Sequence, residues 1–156
     1  MIFIGIDPGK SGAMVVSFSD GHMDCIFFDE RAYAKEIRTV ADTMRRENER
    51  AVCCLEKVGA MPKQGLASTF NFGMNYGIIQ GALIACGVPF ELVSPQKWKK
   101  EFGVTSDKNT SIQVCQHLFP DLNLYRTDRC KKPHDGLAEA ALMCEYARRK
   151  WGDAQQ

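Results

Sequence analysis

The stretch that decides the fold is "IFIGIDPGKSG", residues 2–12. Ile2, Phe3, Ile4 and Ile6 form a run that is apolar on both faces, only Gly5 interrupts it, and Asp7 follows directly. A short continuous apolar run bounded by turn residues reads as a fully buried strand, and Pro8-Gly9 with Lys10, Ser11 and Gly12 is a strong turn signal. Asp7 therefore stands at the end of a central strand. Two readings of it compete: a turn cap accepting from the amides of Gly9 or Lys10, or a carboxylate placed for chemistry.

Outward from this stretch the apolar run resumes as Ala13, Met14, Val15, Val16 and Phe18. It breaks at Ser19-Asp20-Gly21-His22 and returns as Met23, Cys25, Ile26, Phe27 and Phe28. This predicts a three-stranded antiparallel meander. Ala34 to Glu49 carries Ile37, Val40, Ala41 and Met44 at helical spacing among charged residues, the pattern of an amphipathic helix. In "AVCCLEKV", residues 51–58, Ala51 to Leu55 reads as a second buried strand, and Glu56 is the first residue to break it. The arrangement at Asp7 thus recurs. An ionised carboxylate in an apolar setting must find a partner or a cation, and two at the ends of neighbouring strands would share one spot. The competing reading pairs Glu56 with Lys57 or Lys63 at a strand edge.

The next segment predicts a helix over Ser68 to Cys86, with Gly73, Gly77 and Gly81 recurring along it. Asn71, Asn75 and Gln80 make it too polar for a membrane, so the glycines predict close packing on another helix or on the sheet. Phe70 and Phe72 are read either as core or as groups that stack on nucleobases. A short strand over Pro89 to Val93 leads to a basic helical segment around Trp98 with Lys97, Lys99 and Lys100, then to a helix over Thr105 to Leu118. Lys108 lies in the first turn of that helix, where a cation opposes the dipole unless a phosphate or other anion is near; the alternative is plain solvation. Residues 94–150 hold eleven Lys and Arg against seven Asp and Glu, whereas residues 1–93 hold nine against eleven. Trp98, Phe102 and Tyr125 are interleaved in the basic part, a composition that suits a polyanion.

The third constellation is "KKPHDGLAEAALMCEYARRKW", residues 131–151. Pro133 suits a pre-helix turn, and Asp135 suits the cap or first turn of a helix. Asp135 and Glu139 share one helix face that continues as Leu142 and Tyr146, the stripe that should press on the core. Asp135 is explicable as a cap, but Glu139 is not. Asp7, Glu56, Asp135 and Glu139 are then four acids with no basic partner built into their motifs. Like charges held this close repel unless divalent cations neutralise them, and oxygen-only ligation suits Mg²⁺ or Mn²⁺. Two such ions about 3.5 to 4 Å apart can activate a water and stabilise the leaving oxygen of a phosphodiester.

At 156 residues, 45% hydrophobic and 25% charged, the chain reads as one α/β domain over residues 1–156. Its seven cysteines sit mostly in apolar runs without a CxxC pair, which predicts reduced core residues. No stretch of ~18 apolar residues and no signal-peptide pattern occurs, so the expected location is the cytoplasm, without a membrane partner.

At these residues the sequence resembles the RuvC family of Holliday junction resolvases, within the retroviral-integrase and RNase H-like fold. "IGIDPGKSG" is similar to that family's first motif, "CLEKV" to its second and "HDGLAEAAL" to its C-terminal acidic helix. The shortness and divergent middle are most similar to phage-encoded members. The resemblance implies a central five-stranded mixed sheet, three antiparallel strands and then parallel ones, flanked by helices. It further implies a homodimer that nicks two strands of branched DNA, in the cytoplasm of a bacterial host if the chain is phage-encoded. Asp7 would bridge two Mg²⁺ ions, replaceable by Mn²⁺; Glu56 and Asp135 would each complete one coordination shell, and Glu139 would ligate or hold a water. Lys97, Lys99, Lys100, Lys108, Lys131 and Lys132 would bind phosphates. One departure is the spacing of Asp135 and Glu139, which lie closer together by one residue in bacterial RuvC. Either the helix register differs or only one of the two matches, and His134 is then an auxiliary candidate or a turn residue. A catalytically silent branched-DNA-binding relative and a fragment of an actin-like kinase are the alternatives, and the kinase reading lacks a second copy of the fold.

Overall fold

Residue parity along two strands sets the position of everything else. The structure, a computed structural model, describes residues 1–59 and 65–152. Strand β1 (Ile2–Ile6) sends Ile2, Ile4 and Ile6 into one apolar cluster and Phe3 into the other; β4 (Ala51–Glu56) divides Ala51, Cys53 and Leu55 from Val52 and Cys54 in the same way. Strands buried on both faces read as unbroken apolar runs, which is why neither shows an alternating pattern.

Around this pair lie β2 (Ala13–Ser17), β3 (Met23–Phe27) and β5 (Phe90–Val93), in the order β3-β2-β1-β4-β5. β1 and β2, and β2 and β3, are antiparallel; β1 and β4, and β4 and β5, are parallel. The sheet is therefore the five-stranded mixed sheet expected, flanked by helices on both faces.

Helix α1 (Glu30–Glu47) and helix α2 (Leu66–Cys86) cover the face of Ile2, Ile4 and Ile6. Helix α1 starts four residues before the expected Ala34, because the Asp29 side chain accepts from the Ala32 amide at 2.8 Å and satisfies a free N–H of the first turn. The opposite face carries α3 (Pro95–Glu101), α4 (Lys108–Leu118) and α5 (Asp135–Ala147), the last continued by a π-helical turn, Arg148–Gly152. Helix α5 lies directly on β1: a Cβ at Gly5 would stand 2.1 Å from the Ala140 carbonyl oxygen, so the one break in the opening apolar run is where a helix backbone meets the strand.

Two expectations are corrected. Gly73, Gly77 and Gly81 pack on nothing: a Cβ at any of them would meet open space, and α2 buries only Ile79 and Leu83 among its described residues. Trp98 is no surface aromatic of a basic patch, since it is 0% exposed within the core. Among the described residues no helix is long and apolar enough to cross a membrane.

Candidate active site

Asp7 is the residue after β1, and Glu56 is the last residue of β4. The parallel register pairs Gly5 with Cys54 and Ile6 with Leu55, so one further step sets Asp7 opposite Glu56. By strand alternation both belong to the face that carries Phe3, Val52 and Cys54, where α5 lies. Gly136 lets the start of α5 close on this point: its Cβ would lie 2.2 Å from the Ser11 carbonyl and 3.1 Å from Asp7 Oδ2. Asp135 and Glu139, in the first two turns of α5, join the two strand-end acids there.

The charges feel one another. Burial pushes the Asp7 carboxyl up to about 7; Glu56, Glu139 and Asp135 push in the same direction, against the pull of a hydrogen bond from the Gly9 amide at 3.2 Å. Asp7 therefore caps the turn and, at the same time, stands within reach of the charge of the other three acids.

Each of the other acids has a partner from a distant element. The Trp98 indole N–H donates to Glu56 Oε1 at 3.0 Å, and burial outweighs this bond to leave the Glu56 carboxyl raised. Tyr76 of α2 donates its hydroxyl to the Glu56 carbonyl at 3.2 Å, fastening α2 to the end of β4. Glu139 Oε1 accepts from Lys99 Nζ at 2.9 Å and from Ser111 Oγ at 3.2 Å. Lys108 Nζ pairs with Asp135 Oδ2; burial raises the Asp135 carboxyl, but the hydrogen bond and charge of Lys108 hold it below the usual carboxylate range and raise the lysine in turn. The acidic motifs themselves supply no basic partner, as expected, but Lys99 of α3 and Lys108 of α4 reach Glu139 and Asp135 from outside them. Glu56 bonds to Trp98; Lys63, its alternative partner, lies outside the described residues.

A cleft of about 880 Å³ opens beside the cluster, lined by Ser11, Glu56, Phe72, Ser94 and Lys108 among others. Phe72 lines it, whereas Phe70, two residues and therefore about 200° round the helix, is 71% exposed on the outer face of α2. Lys97, Lys100, Lys131 and Lys132 are exposed, while Lys99 is half-buried against Glu139. His134 is the N-cap of α5, its Nδ1 accepting from the Leu137 amide at 3.0 Å, and Asp135 is the first helical residue.

The chemistry of the donors fits a hard divalent cation: four carboxylates, with Asp7 raised first by burial and then by the charge of the other three. As they stand, among the described residues, no three His, Cys, Asp or Glu side chains are gathered into an ion-holding group. Lys99 and Lys108 sit on two of the four acids. Reading along the chain missed Trp98 and Ser111 as members of the site. Their contacts with Glu56 and Glu139 span 42 and 28 residues, and no local pattern reports such a contact.

No protein-family model matches the chain, and no curated protein matches it. Solved structures do. Thermus thermophilus RuvC is 20% identical with a TM-score of 0.56, over 96% of each chain. T. thermophilus RuvC in complex with Holliday junction substrate is 17% identical with a TM-score of 0.58, again over 96% of each. The yeast mitochondrial Holliday junction resolvase Ydc2 is 14% identical with a TM-score of 0.52, over 94% of this chain and 77% of that one. The chain has the RuvC-like RNase H fold.

Proposed function

We propose that the chain is a metal-dependent, structure-specific endonuclease that resolves branched DNA, four-way junctions above all, by paired nicks as a homodimer. The observation that carries this reading is that Asp7, Glu56, Asp135 and Glu139, from three separate elements, stand within reach of one another's charge at one end of the sheet beside an open cleft. A RuvC solved with Holliday junction substrate shares the fold and supports the choice of DNA.

Asp7, Glu56, Asp135 and Glu139 would hold one or two Mg²⁺ or Mn²⁺ ions, whose charge lowers the pKa of a water and stabilises a leaving oxygen. The chain's own contribution is positioning. The Gly9 amide fixes Asp7, Trp98 fixes Glu56, and Lys99 with Ser111 fixes Glu139. Lys97, Lys100, Lys131 and Lys132 on the surface would meet backbone phosphates, and Lys99 and Lys108 would do so once drawn off their acids. Phe72, which lines the cleft, would stack on a base opened at the branch.

The outer face of α2 is the proposed dimer surface. Leu66, Phe70, Met74 and Ile78 are exposed along it, and Gly73, Gly77 and Gly81 lie in the same stripe of about 140° of arc. Small residues along such a stripe let a second helix approach closely. The resemblance of its divergent middle to phage-encoded members makes a phage origin part of the same proposal.

One observation favours a second reading, a catalytically silent binder of branched DNA: two of the four acids already carry lysines. Incubating a labelled four-way junction with Mg²⁺ and either the wild type or Asp7→Asn decides between them. The nuclease reading expects cutting by the wild type alone, with binding retained by both; binding without cutting by the wild type favours the silent binder.

A further inference from the structure

Three of the four acids are held by side chains from α3 and α4: Glu139 by Lys99 with Ser111, Asp135 by Lys108, and Glu56 by Trp98. Lys99 and Lys108 are cations, so each neutralises the acid it touches and must give way before another cation can use that oxygen. Trp98 is a neutral donor. Its N–H occupies Glu56 Oε1 at 3.0 Å, removes no charge from the carboxylate and need not leave when a cation binds. Among the described residues Glu56 Oε2 has no hydrogen-bond partner, so it is the oxygen left to turn toward Asp7.

The sequence places this indole through topology. β5 runs parallel to β4 with Val93 opposite Glu56, Ser94 stands at the N-cap position of α3, and Pro95 opens the helix. The first turn of α3 then returns Trp98 to the level of the Glu56 carboxylate. The ring is 0% exposed, packed among Val93, Val104, Cys115 and α5, which fixes its rotamer. Its face serves a second acid: Lys99 Nζ stands 5.1 Å from the ring centroid while it donates to Glu139.

We infer that Trp98 is a positioning residue of the metal site, orienting Glu56 through Oε1 so that Oε2 is presented to the ion, and that its indole reports occupancy of that site. The inference rests on the metal-dependent reading above. It extends that reading by assigning a role to a residue outside the acidic motifs. An outer partner that orients a ligand typically changes metal affinity about 10- to 100-fold when removed.

The test is Mg²⁺ binding by calorimetry, without DNA, to the wild type, Trp98→Phe, Glu56→Gln and the double variant. Phe keeps most of the ring volume and deletes the N–H. The expected result is a loss of affinity of about tenfold in Trp98→Phe and no further loss when that change is added to Glu56→Gln. Equal losses in both backgrounds would make Trp98 merely structural and overturn the inference, as would wild-type affinity in Trp98→Phe. A second measurement keeps Trp98 in place. The chain has two tryptophans, so in Trp151→Phe the emission comes from Trp98 alone; Mg²⁺ should change it, and Glu56→Gln should abolish the change. An emission indifferent to Mg²⁺ overturns the inference even if Trp98→Phe fails to fold. Failure of the wild type to bind Mg²⁺ would sink the metal-dependent reading itself, with this inference; wild-type binding with an indifferent Trp98 sinks the inference alone.

Discussion

Lys108, at the start of α4, pairs with Asp135, at the start of α5. A lysine in a first helical turn opposes the dipole of its own helix, and Asp135 supplies the anion that makes the position tolerable. The pair also sets a competition. Lys108 is 69% exposed, so its hold on Asp135 is the modest one of a solvated ion pair. Lys108→Ala should therefore strengthen Mg²⁺ binding to the DNA-free protein by about 1.4- to fivefold, the range that ~0.2–1 kcal/mol implies. Calorimetry checks it; weaker binding would mean that the lysine organises Asp135 rather than competes for it.

Asp7 makes the metal-free protein sensitive to pH. Its carboxyl is raised from 3.8 to about 7, chiefly by burial, so the folded state holds a proton that the unfolded chain releases. The associated stability is fully present below pH 3.8 and is lost as the pH rises towards 7. In EDTA the wild type should lose roughly 2–3 kcal/mol between about pH 5 and 8 relative to Asp7→Asn. Saturating Mg²⁺ should reduce the difference. Denaturant melts of the two proteins across this range check the sign, and parallel curves would contradict it.

The α2 stripe predicts assembly. Phe70→Glu puts a charge among Leu66, Met74 and Ile78, all exposed, and should convert a dimer to a monomer with little change in melting temperature. Light scattering after size exclusion measures it. A dimer that survives Phe70→Glu together with Gly77→Arg uses another surface.

The lysines divide by what they already hold. Lys97 and Lys100 are exposed, whereas Lys99 is engaged by Glu139. Replacing Lys97 and Lys100 by Ala should reduce the slope of log affinity for junction DNA against log salt by about 0.9 per lost contact. Lys99→Ala should change that slope less and disturb Glu139 more. Fluorescence anisotropy over a salt series separates the two.

What could be read along the chain was whatever local pattern encodes. The unbroken apolar runs of β1 and β4, each closed by an acid, located the central strands and the two acids at their ends, because parity and parallel register bring Asp7 and Glu56 together automatically. The pairing of Asp135 with Glu139 on one helix face was legible for the same reason. Contacts across the chain were not. Trp98 resembled a surface aromatic because lysines surround it in sequence, yet the turn from β5 into α3 buries it beneath Glu56. The glycines of α2 signalled close packing on another helix or on the sheet, and nothing in the chain approaches them. Lys99 and Lys108 looked like phosphate ligands and are, in this structure, ligands of the acids themselves.

The central claim, cutting directed by branch geometry and dependent on the acidic cluster, is tested most directly by one cleavage panel. Labelled four-way, three-way, flap and linear duplex DNA of matched sequence are incubated with the wild type in Mg²⁺, Mn²⁺, Ca²⁺ and EDTA. The account predicts paired nicks at the four-way branch in Mg²⁺ and Mn²⁺, and none in EDTA or on linear duplex. Linear duplex cut as fast as the four-way junction, or junction cleavage that persists in EDTA, would contradict it.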